Sequence, residues 1–197
     1  MSITKLVFAT NNKHKFNEIK NHVSGALEIL NLEDIGFSGD IAETSDTIEG
    51  NALQKAWYIY NRFKINCFAD DTGLEIDALN GAPGVYSARY AGENPTFEDN
   101  MRRVLLEMNG IKKRSARFRT IIALIENGKE VLFEGKIEGI ITEKQRGEKG
   151  FGYDPVFQPA GFNKTFAEMT LEIKNQISHR ALAINKLLEY LNDNYRI

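Results

Sequence analysis

Leu6-Val7-Phe8-Ala9-Thr10-Asn11-Asn12-Lys13-His14-Lys15-Phe16 is the stretch on which the fold turns. Its apolar opening reads as a short buried strand, and it stops at Thr10-Asn11-Asn12, residue types that favour turns and helix caps. Phe16, Ile19 and Val23 then recur at helical spacing, so a strand hands the chain directly to a helix. Lys13 and Lys15 fall in the first turn of that helix, where the macrodipole favours acids by roughly 0.3 to 1 kcal/mol. An anion in front of the helix removes the contradiction, because main-chain amides and ammonium groups would hold it together.

Outward from this unit the pattern repeats. Leu27 to Leu32 predicts a second strand, and a polar, acidic connection runs from Asp34 to Glu49. Ala52, Ala56 and Ile59, with Leu53 and Tyr60 alongside, form a helical stripe leading into a further strand at Ile65-Asn66-Cys67-Phe68-Ala69. Two strand-helix-strand passages predict a partly parallel sheet with helices on its faces. Leu79 to Arg89 is a structured connection, and Phe97 to Met108 an amphipathic helix. Ala116 to Ile125 and Glu130 to Ile141 are strand-rich runs around Asn127-Gly128, a strong hairpin turn, so an antiparallel part joins the parallel one. Leu182, Ile184, Leu187, Leu188 and Leu191 trace one face of a last helix over Ile177 to Leu191, with Ser178 as its cap. The expected fold class is α/β, a mixed sheet flanked by helices, with residues 1–197 forming one domain of two lobes.

A chain of 197 residues needs no disulfide to build a core, and its single cysteine, Cys67, reads as a buried small hydrophobe in a reducing compartment. The opening Met1-Ser2-Ile3-Thr4-Lys5 and the short apolar run after it lack the length and charge of a secretory signal, and no stretch approaches the roughly 20 apolar residues of a spanning helix. With 25 Lys plus Arg against 27 Asp plus Glu, the net charge of −2 supplies no field for gripping a nucleic-acid backbone. A compact basic cluster still suffices for a small anion.

Chemistry concentrates in a few places. Asp70 and Asp71 follow an apolar run and are expected at a strand's end, before a Thr72-Gly73 turn, where one acid can ligate a divalent cation and the other orient a water. Magnesium suits this oxygen-rich set better than zinc, since Cys67, His14, His22 and His179 form no zinc spacing. Glu43 and Glu49 both remain open as the acid that completes the site. Lys13, Lys15, Lys174 and Arg180 are phosphate-ligand candidates, and Asn11 and Asn12 add neutral donors. Gly150-Phe151-Gly152-Tyr153-Asp154-Pro155-Val156-Phe157 combines close-approach glycines with flat rings suited to a base or sugar. Ser178-His179-Arg180 sits at a helix entrance, where His179 could meet a base carbonyl or a phosphate. No Gly-x-x-x-x-Gly-Lys-Ser/Thr loop, no Gly-x-Gly-x-x-Gly after a strand and no glycine-flanked serine elbow is present.

Taken together, Thr10 to Lys15, Ala69 to Leu74, Gly81 to Gly92, Gly150 to Pro155 and Ser178 to Arg180 resemble the inosine triphosphate pyrophosphatase family across nearly the whole chain. The resemblance implies magnesium-dependent hydrolysis of ITP, dITP or XTP to monophosphate and pyrophosphate by a cytoplasmic homodimer, with an elongated sheet in two lobes and the nucleotide in a cleft between them. It implies that Thr10, Asn11, Asn12, Lys13, His14 and Lys15 form the phosphate-binding turn, that Asp71 is metal ligand and proton acceptor, and that Thr72 adjoins it. It favours Glu43 as the second metal ligand. Phe151, Gly152, Tyr153 and Asp154 would bind the nucleoside, and Lys174, His179 and Arg180 would complete the substrate contacts, the last two reading the purine carbonyl. Ala181 stands where many bacterial relatives have glycine, and Tyr153 where some have tryptophan. A pyrophosphatase for other altered nucleotides and a non-hydrolysing nucleotide-binding regulator are the competing readings.

Overall fold

The computed structural model describes residues 4–23 and 27–195. Met1 to Ile3, on which part of the reading of the amino terminus falls, lie outside them. In chain order the strands and α-helices are β1 (Thr4–Phe8), α1 (Lys13–His22), β2 (Leu27–Leu30), α2 (Ile48–Phe63), β3 (Cys67–Ile76), β4 (Pro83–Gly84), α3 (Phe97–Glu107), β5 (Ser115–Glu126), β6 (Lys129–Ile141), β7 (Phe157–Pro159), α4 (Leu171–Ile177) and α5 (His179–Tyr195). The sheet order is β2-β1-β3-β5-β6-β7, with β4 paired to β3. β1 runs parallel to β2, with Val7 opposite Leu30, and parallel to β3, with Phe8 opposite Phe68. β4 on β3 and β7 on β6 are antiparallel, so the sheet is mixed, as expected.

Two compact units emerge, and β3, β5 and β6 each pass from one into the other. The first takes the described residues within 1–71, 120–135 and 180–197. Its core joins Leu6, Phe8 and Phe68 of the parallel strands to Ile19 of α1 and to Ala183, Ile184, Leu187 and Leu191 of α5. The Phe8 and Phe68 rings stack at 4.6 Å across the β1-β3 pair. The second unit takes residues 72–119 and 136–179, around Leu74, Met101, Val104, Phe118, Phe157 and Phe166.

The Asn127-Gly128 hairpin has positive φ at both residues, 50° and 75°, as a type I′ turn requires. α3 begins one residue after Thr96, whose side chain forms a capping box with Asp99. Three expectations change. β3 does not stop at Ala69: Asp70, Asp71, Thr72 and Gly73 lie inside the strand, and no turn follows the acids. Consecutive buried carboxylates are tolerated there because the strand's pleat gives each its own counter-charge. β2 ends at Leu30, and a 3-10 turn over Glu33–Ile35 closes on Gly36 at φ 72°. The last helix starts at His179 rather than Ile177, behind a separate short helix, α4; Ser178 between them is extended, with φ −69° and ψ 153°, and keeps its expected place just before the helix.

Candidate active site

Alternation along β3 sorts the two acids. Phe68 and Asp70 face α1 and α5, whereas Cys67 and Asp71 face α2, where the Cys67 thiol donates to the Ala56 carbonyl at 3.2 Å. Asp70, fully buried at its side chain, pairs with Lys15 Nζ at 3.1 Å and Arg180 Nε at 3.3 Å. Arg180 also reaches the Glu18 carboxylate one turn along α1 from Lys15. Asp71 lies 3.8 Å from Lys55 Nζ and accepts from Asn51 Nδ2 at 3.3 Å, both on α2, and the Lys55 ammonium also contacts the Glu43 carboxylate.

The two neighbours are tuned apart. Burial pushes Asp70 up, but the Lys15 ammonium and the Arg180 guanidinium outweigh it and hold the carboxyl at about 2. At Asp71 burial prevails over Lys55 and Lys15, helped by repulsion from Glu43 and Asp70, and the carboxyl is raised. Lys15 is lowered by burial despite Asp70, with Lys55 and Arg180 adding like-charge repulsion. Lys55 is raised: burial opposes its charge, but Asp71, Glu43 and Asp70 more than offset it. A buried carboxylate that stays ionised next to one that accepts a proton more readily is the arrangement expected of a site that needs both an anchor and a base.

At the start of α1, the Asn12 side chain accepts from the His14 and Lys15 amides at 3.0 and 3.1 Å, and Thr10 Oγ1 accepts from the Asn12 amide at 3.2 Å. Asn11 donates to the Gly39 carbonyl at 2.9 Å, tying this turn to the acidic connection. Lys13 and His14 are exposed, while Lys15 turns inward. The lysine that contradicted the helix dipole is therefore neutralised by a carboxylate of the chain itself.

In the second unit the glycine-aromatic loop is built around Asp154. Its Oδ2 accepts from the Phe151 amide at 2.9 Å and from Lys174 Nζ at 2.7 Å, with all three inside one tight turn and the helix α4. Gly150 adopts φ 77°, and a Cβ there would lie 2.0 Å from Asp154 Oδ2, so glycine is required twice over. Gly152 is also left-handed, at φ 63°. Tyr153 is core: it is 4% exposed and donates through its hydroxyl to the Ser87 carbonyl at 2.9 Å. Phe151 is half-buried, with the Lys174 ammonium 5.0 Å from its ring centre. His179, buried, stacks on Phe118 at 4.5 Å and 15°. Thr72 follows Asp71 along β3, and Arg180 follows His179 where the chain returns to the first unit.

Lys15, Lys174 and Arg180, read as phosphate ligands, thus each meet a carboxylate of this chain. Lys55, Asn51 and Glu18 were missed. α2 does carry a signal, since Ile48, Asn51, Ala52, Lys55, Ala56 and Ile59 make one buried face, and two polar residues in an apolar stripe require partners. Among the described residues no group of three or more His, Cys, Asp or Glu surrounds a single cation site, and no helix is long and apolar enough to cross a membrane.

A mixed α/β fold that sets two neighbouring buried carboxylates of one strand among lysines and an arginine is suited to acid-base chemistry on an anionic substrate. A model of the Ham1 family matches residues 6–190. The chain is 54% identical over 187 residues to a dITP/XTP pyrophosphatase of Flavobacterium johnsoniae, covering 95% of this chain and 97% of that one. A dITP/XTP pyrophosphatase of a Thermoanaerobacter species is 51% identical over 190 residues, 95% of this chain and 96% of the relative. Among solved structures, the Ham1 protein of Staphylococcus aureus superposes with a TM-score of 0.88 at 37% identity, covering 97% of this chain and all (100%) of that one. A HAM1 protein from Coxiella burnetii gives 0.89 at 36% identity over 96% and 99%. The chain belongs to the Ham1 family.

Proposed function

We propose that this chain hydrolyses the non-canonical purine nucleoside triphosphates ITP, dITP and XTP to the monophosphate and pyrophosphate, keeping deaminated purines out of DNA and RNA. The observation that carries the reading is the placement of Asp70 and Asp71 on opposite faces of β3, the first held by Lys15 and Arg180 and the second by Lys55 and Asn51. Asp71 orients a water and takes its proton as the water oxygen attacks the α phosphorus; the bond to the bridging oxygen breaks and pyrophosphate leaves. Asn51 holds the second Asp71 oxygen and fixes the direction of the first. Asp70 stays ionised and anchors Lys15 and Arg180. Thr10, Asn11, Lys13 and His14, around the start of α1, meet the phosphates, and Thr72 adjoins Asp71 along β3.

Asp71 and Glu43 fit Mg2+. Both are hard oxygen donors that reach one ammonium, and Mg2+ uses one or two protein carboxylates with phosphate and water oxygens filling its remaining positions. When bound, the ion would supply charge neutralisation on the phosphates and a more acidic water.

For the base, Phe151 offers the stacking ring, while Tyr153, Gly152 and Asp154 hold its loop and Lys174 braces it from α4. His179, with Arg180, reads the carbonyl at purine position 6, where adenine carries an amino group. A mispaired buried polar group costs about 1 to 3 kcal/mol, so one such contact gives roughly ten- to hundredfold selection. The whole chain, 1–197, acts as one pyrophosphatase domain, works as a homodimer and resides in the cytoplasm. The test is pyrophosphate release from equal concentrations of ITP, XTP, dITP, GTP, ATP and dUTP, with magnesium and with chelator. Strong magnesium-dependent release from the first three is expected; equal release from ATP, or none from any, overturns the reading.

A further inference from the structure

We propose that Lys55 is a resident cation that couples metal binding to nucleotide binding: its ammonium, held by Glu43 and Asp71, occupies the charge these carboxylates would offer a metal until phosphate gives it another partner. The inference rests on reading those two acids as the metal ligands.

Lys55 lies on the buried face of α2 and is 6% exposed, so its ammonium has little water to retreat into. It contacts the Glu43 carboxylate and stands 3.8 Å from Asp71 Oδ1. Asn51, one turn earlier on α2, holds the other Asp71 oxygen at 3.3 Å and so keeps the carboxylate turned to Lys55. Lys15 and Arg180 are engaged on the opposite face of β3 by Asp70, leaving Lys55 as the cation that contacts both acids of the set. A divalent ion bound by Glu43 and Asp71 would sit against this ammonium, and like charges at such range repel strongly where water is scarce. Two carboxylates minus one ammonium is also a weak charge for a dication, and no third acid joins them among the described residues. The phosphates of a nucleotide change that balance. They accept the ammonium, free both carboxylates and add oxygen ligands of their own. Metal and nucleotide must then promote each other's binding reciprocally.

The probe is Mn2+ alone, its free concentration read by electron paramagnetic resonance in titrations of the intact protein, with no nucleotide. Lys55→Met and Lys55→Gln remove the charge in two different shapes, so a folding failure in one leaves the other. Lys55→Arg keeps the charge. Mn2+ should bind both neutral variants about tenfold or more tightly than the wild type, with Lys55→Arg close to wild type. In a second titration, Mn2+ should raise the wild type's affinity for the α,β-methylene analogue of ITP by about tenfold, and that of Lys55→Met by clearly less. Neutral variants that bind Mn2+ no better than wild type, or coupling to the analogue that is the same in Lys55→Met, would overturn the proposal. If the wild type hydrolyses ITP yet the variants leave Mn2+ affinity unchanged, this inference alone fails. If the wild type releases pyrophosphate from no non-canonical nucleotide, the pyrophosphatase reading fails whatever the Mn2+ affinities are.

Discussion

The two units of this chain bury charge in different ways. In the first, four carboxylates and three cations interlock around one strand: Glu18, Arg180, Asp70 and Lys15 on one face, and Asp71, Lys55 and Glu43 on the other. In the second, the glycine-aromatic loop rests on one buried pair, Asp154 with Lys174, set among the rings of Phe151 and Phe166. An interlocked network fixes potentials and proton affinities, whereas a single pair wrapped in aromatic rings fixes the shape of a loop. In the proposed function the first unit carries the chemistry of the phosphates and the second the recognition of a flat ring.

The difference can be broken most sharply at Asp71. Asp71→Asn keeps the hydrogen-bonding outline and removes the proton acceptor, so the turnover number should fall by about 10²- to 10⁴-fold while metal-free nucleotide binding changes little. Unchanged turnover in steady-state kinetics would take the base away from this unit. Next come the two anchors. Asp70→Asn takes the carboxylate from Lys15 and leaves Arg180 with Glu18, and should cost roughly 3 to 5 kcal/mol in denaturant unfolding. Asp154→Asn takes the carboxylate from Lys174, whose ammonium keeps the ring faces of Phe151 and Phe166, and should cost about 1.5 to 3 kcal/mol. A reversed order would contradict the contrast between network and single pair.

Acid separates the neighbours in β3. Asp70 binds its proton more weakly folded than unfolded, so its contribution to stability is complete above the ordinary carboxylate value near 4 and is lost as the pH falls to about 2. That contribution is on the order of 2 kcal/mol, and Asp70→Asn should flatten the stability profile over that window. Asp71 carries the opposite sign, since its raised carboxyl takes up a proton more readily in the folded state. The smallest effect is expected in the loop. Phe151→Leu keeps apolar bulk but loses the ring face, worth about 0.5 to 1.5 kcal/mol, so KM for ITP should rise roughly three- to tenfold with kcat nearly unchanged. A fall in kcat with constant KM would place Phe151 in the chemistry instead.

Much of this was legible in the chain. The passage from Leu6 through Asn12 into α1, the Asn127-Gly128 hairpin and the span of α3 follow from local rules, and the structure has them within a residue or two. Asp70 and Asp71 stood out as chemistry, but their placement did not. An apolar run followed by two acids reads as a strand ending in solvent, and only the arrival of Lys15, Arg180, Lys55 and Asn51 from other elements makes an acidic strand interior affordable. Tyr153 shows the same limit. Its ring suggested a platform, yet its hydroxyl finds the Ser87 carbonyl and the ring fills the core. Composition cannot say which aromatic of a loop faces inward, because that depends on partners distant in sequence.

The most direct test of the account is hydrolysis of ITP by the wild-type protein in water enriched in oxygen-18, followed by mass analysis of both products. Attack on the α phosphorus, with Asp71 directing the water, predicts one labelled oxygen in the inosine monophosphate and none in the pyrophosphate. Label in the pyrophosphate would mean attack at the β phosphorus and would contradict the mechanism assigned to this site.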